Sequence, residues 1–225
     1  MSSLSCIIPT YKEASRIRSV LRAVHQHPLI DEIIVVDDGS RDGTENIVRE
    51  FSDVRLITHE HNRGKSRAVV TGVRASRNDL LFFLDADLIG LTPGAISALI
   101  EPVVSGRADM SISLRINAPW LFRLIGLDYI SGERVFPKKL ISEHLDVIGM
   151  LPGYGLESYM NKLIVKNHYR IAVVRLNQVR SPWPQEKWGY FGGTYAFIRM
   201  LINILKTISI FEICYLTYKM YSARV

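Results

Sequence analysis

The chain has 225 residues, 48% of them hydrophobic, with 28 Lys and Arg against 22 Asp and Glu for a net charge of +6. That apolar content suffices for a packed core and excludes a disordered chain. Two cysteines, Cys6 and Cys214, exclude a disulfide framework and point to a reducing compartment.

The chain begins with a short apolar run, Leu4 to Ile8, ending at Pro9. Ile17, Val20, Leu21 and Val24 follow at helical spacing. Ile33 to Val36 is a second buried run, and it ends in Asp37-Asp38-Gly39-Ser40. Asp42 with Glu45 three residues later predicts a capping box for the next helix. Val54 to Ile57 is a third strand, Lys65 to Ala75 a helix, and Leu80 to Leu84 a fourth strand ending in Asp85-Ala86-Asp87. Ile96, Leu99, Ile100 and Val103 mark a helix with Pro93 in its first turn. Further on, Met110 to Leu114 reads as a strand, Leu121 to Ile130 as a helix, a helix starts near Leu156, and Ile171 to Leu176 is a strand. This alternation predicts an α/β fold with an open, mostly parallel sheet and helices on both faces. Ligands of such sheets gather at the carboxyl ends of the strands.

The charge is uneven. Residues 1–157 carry 18 basic and 20 acidic side chains, whereas residues 158–225 carry 10 basic and 2 acidic ones, Glu186 and Glu212. The basic third suits phosphates or anionic headgroups, or forms a solvated face. A nucleic-acid partner is not expected, because no reader motif is present. The stretch from Tyr195 to Tyr218 is rich in Ile, Leu, Phe and Tyr but broken by Arg199, Lys206 and Glu212. It falls short of the roughly 18 uncharged residues of a spanning helix. An in-plane membrane helix, a helix packed on the protein's own core and a helix pairing copies of the chain all remain open. No signal peptide is recognisable, and the expected location is cytoplasmic, with peripheral contact at the inner face of the cell membrane.

Asp85 and Asp87 carry the strongest chemical signal. Two carboxylates one residue apart at a strand end repel unless a cation sits between them, and oxygen ligands select a hard ion, Mg²⁺ or Mn²⁺. A solvated strand-end turn is the alternative. Asp37 and Asp38 can accept from a base or ribose, or simply build a turn. No glycine-rich phosphate loop is present, so cations must hold phosphates; Lys65, Arg115, Arg123 and Arg134 are the candidates. His59 and His61 lack a third zinc ligand nearby and read as loop residues. Trp183 and Trp188 flank Lys187 in a basic loop that can close over a ligand, lie at a membrane interface, or simply pack.

Ile7 to Glu13, Val35 to Ser40 with Asp42-Gly43-Thr44, Asn62-Arg63-Gly64-Lys65 and Asp85-Ala86-Asp87-Leu88, in that order, resemble the motifs of family 2 glycosyltransferases. The resemblance implies a GT-A fold that binds a nucleotide sugar, UDP- or GDP-linked. It implies that Pro9, Tyr11, Glu13, Asp37, Asp38 and Lys65 line the nucleoside pocket. It also implies that Asp85 reaches ribose or metal, and that Asp87 is the main metal ligand. Ser131 to Phe136 resembles a segment of the polyprenyl-phosphate sugar transferases, the dolichyl-phosphate mannose synthase-like subgroup, which implies that Arg115, Arg123 and Arg134 lie near an acceptor phosphate. Glu157 stands where the family has its general base. A hydroxyl acceptor needs such a base; a lipid phosphate, already ionised, does not.

The expectation is a metal-dependent, inverting transferase domain over residues 1–193 with an apolar helical tail over 194–225. The expected acceptor is a polyprenyl phosphate at a membrane surface. A glycosyltransferase acting on a phosphorylated small molecule or a glycan is the alternative enzyme, and a non-catalytic nucleotide-sugar-binding scaffold the alternative of another class.

Overall fold

The computed structural model describes residues 3–152, 155–183, 185–187, 189, 191, 192, 194, 195 and 208–225. Its centre is a seven-stranded sheet in the order β3-β2-β1-β4-β6-β5-β7. The strands are β1 Leu4–Thr10, β2 Glu32–Asp37, β3 Val54–Thr58, β4 Leu80–Phe83, β5 Met110–Arg115, β6 Arg134–Pro137 and β7 Ile171–Leu176. β1, β2, β3 and β4 pair in parallel, as do β5 and β7. β6 alone runs antiparallel, between β4 and β5. The sheet therefore matches the expected α/β layer, with one strand that no periodicity announced: Arg134–Pro137 is too short to alternate visibly.

Period-two alternation feeds two cores. Leu4, Cys6, Ile8, Leu80 and Phe82 point to one face, where they meet α1 (Ile17–Val24), α2 (Thr44–Val48) and α4 (Pro93–Val104). Ile7, Leu81 and Phe83 point to the other, where α3 (Lys65–Ala75), α6 (Leu145–Met150) and α7 (Gly155–Lys166) cover them. Phe83 and Phe136 meet edge to face at 4.8 Å across β4 and β6, a geometry favoured by the ring quadrupoles. Thr92 Oγ1 caps α4 by accepting from Ala95 N at 3.2 Å, a contact worth about 1 kcal/mol.

Two local expectations are revised, and one left open is narrowed. The helix expected over Leu121 to Ile130 is α5, Trp120–Ile125 only, because Gly126 at φ +76° ends it in a left-handed cap. The capping box at Asp42 and Glu45 does not form as drawn. Asp42 Oδ1 accepts from Thr44 N at 3.0 Å, the chain turns through Gly43, and Glu45 pairs with Arg49 instead. The C-terminal helix, Ile210–Ser222, packs on α7 and buries Leu216 and Met220 in the second core. Lys162 pairs with Glu212 at 2.7 Å, and Arg224 donates to the Ile125 and Gly126 carbonyls. Its other face exposes Phe211, Tyr215 and Tyr218. Arg199 and Lys206 lie outside the described residues, as does most of the expected tail up to residue 207. No described helix is long and apolar enough to cross a membrane.

Candidate active site

Parallel pairing brings the ends of β1, β2 and β4 to one rim. The loops after β1 and β2 are knitted together there: Asp38 N donates to Thr10 O at 2.9 Å, Lys12 N to Ser40 Oγ at 2.8 Å, and Glu13 N to Thr44 Oγ1 at 3.2 Å. Tyr11, Lys12, Gly39, Ser40, Arg41, Asp42, His61 and Asn62 line a recess of about 520 Å³. That volume is within the range of small-molecule pockets.

The two carboxylates at the end of β2 are committed internally. Asp37 Oδ1 accepts from the Ser40 backbone N–H and from its hydroxyl. Burial raises the pKa of Asp37, against these bonds. Asp38 is buried; Oδ1 faces His59 Nδ1 at 2.7 Å and Arg63 N at 2.9 Å, and Oδ2 accepts from Gly64 N at 2.7 Å. Asp38 thus moulds the loop that leads into α3, and His59 serves that clamp rather than a zinc ion. Gly39 permits the close passage: at φ +77° a Cβ there would lie 2.9 Å from the His61 carbonyl carbon.

β4 ends at Phe83 and, one apolar residue later, the chain breaks from the strand, which turns both Asp85 and Asp87 to the rim. Lys65 Nζ, at the first position of α3, lies 2.8 Å from Asp85 Oδ1 and 3.0 Å from Glu157 Oε1. Burial penalises the Asp85 charge, yet Lys65, helped by Arg115 and Lys187, holds the Asp85 pKa below its ordinary value. Asp87 behaves oppositely. Burial and then the neighbouring Asp85 charge push its pKa up, with Lys187 opposing. Asp87 Oδ2 meets Lys187 Nζ at 2.6 Å, while Asp87 Oδ1 is buried without a hydrogen-bond partner. Gly132, from the segment before β6, completes the fit: a Cβ there would lie 2.6 Å from Asp85 Oδ2.

An unpartnered buried carboxylate oxygen, with a second carboxylate beside it, suits a hard divalent ion. Among the described residues no group of three or more His, Cys, Asp or Glu side chains forms a protein cage. The arrangement therefore fits Mg²⁺ or Mn²⁺ of the kind held by one or two carboxylates plus substrate phosphates and water.

Glu157, in the first turn of α7, is buried; one oxygen is taken by Lys65 and Oε2 has no partner. Pro9, Lys65, Asp85, Gly132, Arg134 and Glu157 all line one small cavity beside the acidic rim. Glu13 joins the rim from the other side, paired with Arg16 at 3.2 Å and with Lys187 at 2.5 Å.

The three arginines part ways. Arg115 donates to Asp128 at 3.0 Å and lies 3.6 Å from Glu133, both buried. Burial would lower its pKa, but Glu133, Asp128 and Asp85 raise it. Arg134 is buried and donates to the Ser131 carbonyl at 2.8 Å, Asn161 at 2.6 Å and the Tyr129 carbonyl at 3.1 Å. Burial lowers its pKa. Arg123 is exposed on α5, outside the cavity lining. Two buried arginines thus work as internal counter-ions and braces. Nothing in the sequence pairs the arginines with Asp128, Glu133 and Asn161, because only the fold brings them together. Lys187 was visible as a cation in a Trp-flanked loop, but its contact with Asp87 spans 100 positions. Trp188 lies outside the described residues.

Known structures share this architecture. Glucosyl-3-phosphoglycerate synthase from Mycobacterium tuberculosis, solved with Mn²⁺, UDP and glucosyl-3-phosphoglycerate, superposes with a TM-score of 0.67 over 92% of this chain and 80% of its own, at 24% identity. That likeness establishes the GT-A fold. A UDP-N-acetylglucosamine–dolichyl-phosphate N-acetylglucosaminyltransferase of Methanococcus voltae is 29% identical over 62% of this chain and 72% of its own length. A dolichol-phosphate mannosyltransferase of Pyrococcus furiosus is 31% identical over 66% of this chain, but over only 40% of its own length. The profile of glycosyl transferase family 2 matches residues 5–154, which takes in every strand-end group of the rim from Pro9 to Gly132, and the chain belongs to that family of glycosyltransferases.

Proposed function

We propose that the chain moves a sugar from a nucleotide-sugar donor to the phosphate of a polyprenyl phosphate, with inversion and with Mg²⁺ or Mn²⁺ bound at Asp87 and Asp85. The observation that carries the reading is the buried, unpartnered Asp87 Oδ1 beside Asp85 at the rim. The ion, when bound, would draw charge off the departing diphosphate. The nucleoside would occupy the recess beside Tyr11, Ser40 and Asp42, walled by the loop that Asp38 anchors. Lys65 would serve the donor's side of the cavity while holding Asp85 ionised.

The acceptor reading rests on Glu157. Its carboxylate is buried and one oxygen is committed to the ion pair with Lys65, a positioning role, whereas a hydroxyl acceptor would require it to act as a general base. An ionised phosphate acceptor needs no such base, and Glu157 then orients Lys65. The names of the relatives from Methanococcus voltae and Pyrococcus furiosus favour a lipid phosphate. The fold neighbour from Mycobacterium tuberculosis favours a second reading, a small phosphorylated acceptor.

The test is a panel of UDP- and GDP-sugars with polyprenyl phosphate in detergent, or with phosphoglycerate, with and without Mn²⁺. Metal-dependent label in the organic phase supports the first reading, and label in a water-soluble product the second. Donor binding without turnover on any acceptor would favour a scaffold instead.

A further inference from the structure

The segment formed by the described residues 180–183 and 185–187 is tied down in two chemically different ways. At its start the ties are neutral or remote from the rim. Arg180 exchanges backbone hydrogen bonds with Ile89 at 2.9 and 3.0 Å. Ser181 accepts from Arg115 at 2.6 Å on its hydroxyl and from Asn117 at 2.7 Å on its carbonyl. At its end the tie is Lys187, whose ammonium lies between Glu13 Oε1 at 2.5 Å and Asp87 Oδ2 at 2.6 Å. Between them the segment is braced on itself: Glu186 binds Arg180 at 2.8 Å and accepts from Trp183 N at 3.0 Å. Among the described residues its far end therefore reaches the rim through Lys187, and both partners of that side chain are carboxylates of the site.

Resting on the metal reading above, we propose that Lys187 is a tethered cation that competes with the divalent ion for Asp87, so that ion binding releases Glu186 and Lys187 from the rim. The physical reason is charge. Lys187 offsets the repulsion among Glu13, Asp85 and Asp87, which the fold holds close together in a poorly solvated rim. A divalent ion on Asp87 does the same with twice the charge, and it repels an ammonium on the same carboxylate. Arg180 and Ser181, held by bonds that do not involve the acids, remain in place as the pivot. Lys187 thereby couples occupancy of the metal position to the position of the chain that flanks it.

The test uses the full chain without donor. Mn²⁺ binding is followed by the electron paramagnetic resonance signal of the free ion in the wild type, Lys187→Gln and Lys187→Arg. Lys187→Gln removes the competitor and binds Mn²⁺ about tenfold tighter, the scale of one charge-assisted hydrogen bond; Lys187→Arg stays near the wild type. In the wild type, Mn²⁺ accelerates hydrogen exchange at the Glu186 and Lys187 amides but not at Ile89 or Arg180. Equal affinity in all three proteins overturns the competition and leaves the metal reading standing. So does unchanged exchange together with weaker binding by Lys187→Gln. Absence of Mn²⁺ binding in all three proteins, with and without UDP, overturns the metal reading and this inference with it.

Discussion

Replacing Arg115 with Met separates two roles that one residue can play at this rim. Arg115 faces two buried carboxylates, Asp128 at 3.0 Å and Glu133 at 3.6 Å, and their side chains are 0% exposed. Methionine keeps much of the side-chain volume but leaves both acids without their cation. Breaking a buried ion pair from one side costs about 3–5 kcal/mol. In a chain of this size each kcal/mol moves the melting temperature by about 2–4 °C, so Arg115→Met is expected to melt roughly 6–20 °C below the wild type. The loss depends on pH with a definite sign. Burial already raises the Asp128 pKa, with Arg115 as the main opposing influence. Without Arg115 it rises further above its value in the unfolded chain. The variant's deficit is then greatest where the unfolded acid is ionised, at neutral pH, and narrows as pH falls through the raised native pKa. Thermal melts by circular dichroism at several pH values between 5 and 8 measure this. A variant that melts within about 2 °C of the wild type, below the shift expected from even 1 kcal/mol, while losing transfer activity would refute the counter-ion argument and make Arg115 a ligand contact.

The other predictions concern the site and the last helix. Asp87→Asn removes the charge that burial and Asp85 disfavour. It is expected to lose roughly a thousandfold in transfer, the scale of several kcal/mol of metal assistance, yet to melt no lower than the wild type; a melt well below it would show that Asp87 is chiefly structural. Gly132→Ala places a Cβ 2.6 Å from Asp85 Oδ2. It should weaken Mn²⁺ binding and cost about 1–3 kcal/mol of overpacking, read by metal titration and melting together. Met220→Ala empties a fully buried position of the second core and should cost about 2–5 kcal/mol. A chain ending at residue 207 should unfold at lower denaturant still, whereas unchanged midpoints would show that the last helix is an appendage.

The layers and the rim are legible in the amino-acid order alone. Short apolar runs separated by helical spacing leave an open parallel sheet as the economical way to bury both faces, and the acids at Asp37, Asp38, Asp85 and Asp87 stand where each run stops. Those features are local, with a period of two or 3.6 residues and a break. Partnership is not local, and it emerges only when the chain folds. β6 pairs across β4 and β5 by register rather than by pattern. Arg115 and Arg134 look like free cations in a string of letters, and folding buries them against Asp128, Glu133 and Asn161. The helix from Ile210 has an apolar pattern that would equally suit a lipid surface or a second copy, and it spends Leu216 and Met220 on its own core. Lys187 meets Asp87 because β4 and the segment after β7 return to the same edge. A side chain's charge is written in the sequence; what neutralises that charge is set by which strands become neighbours.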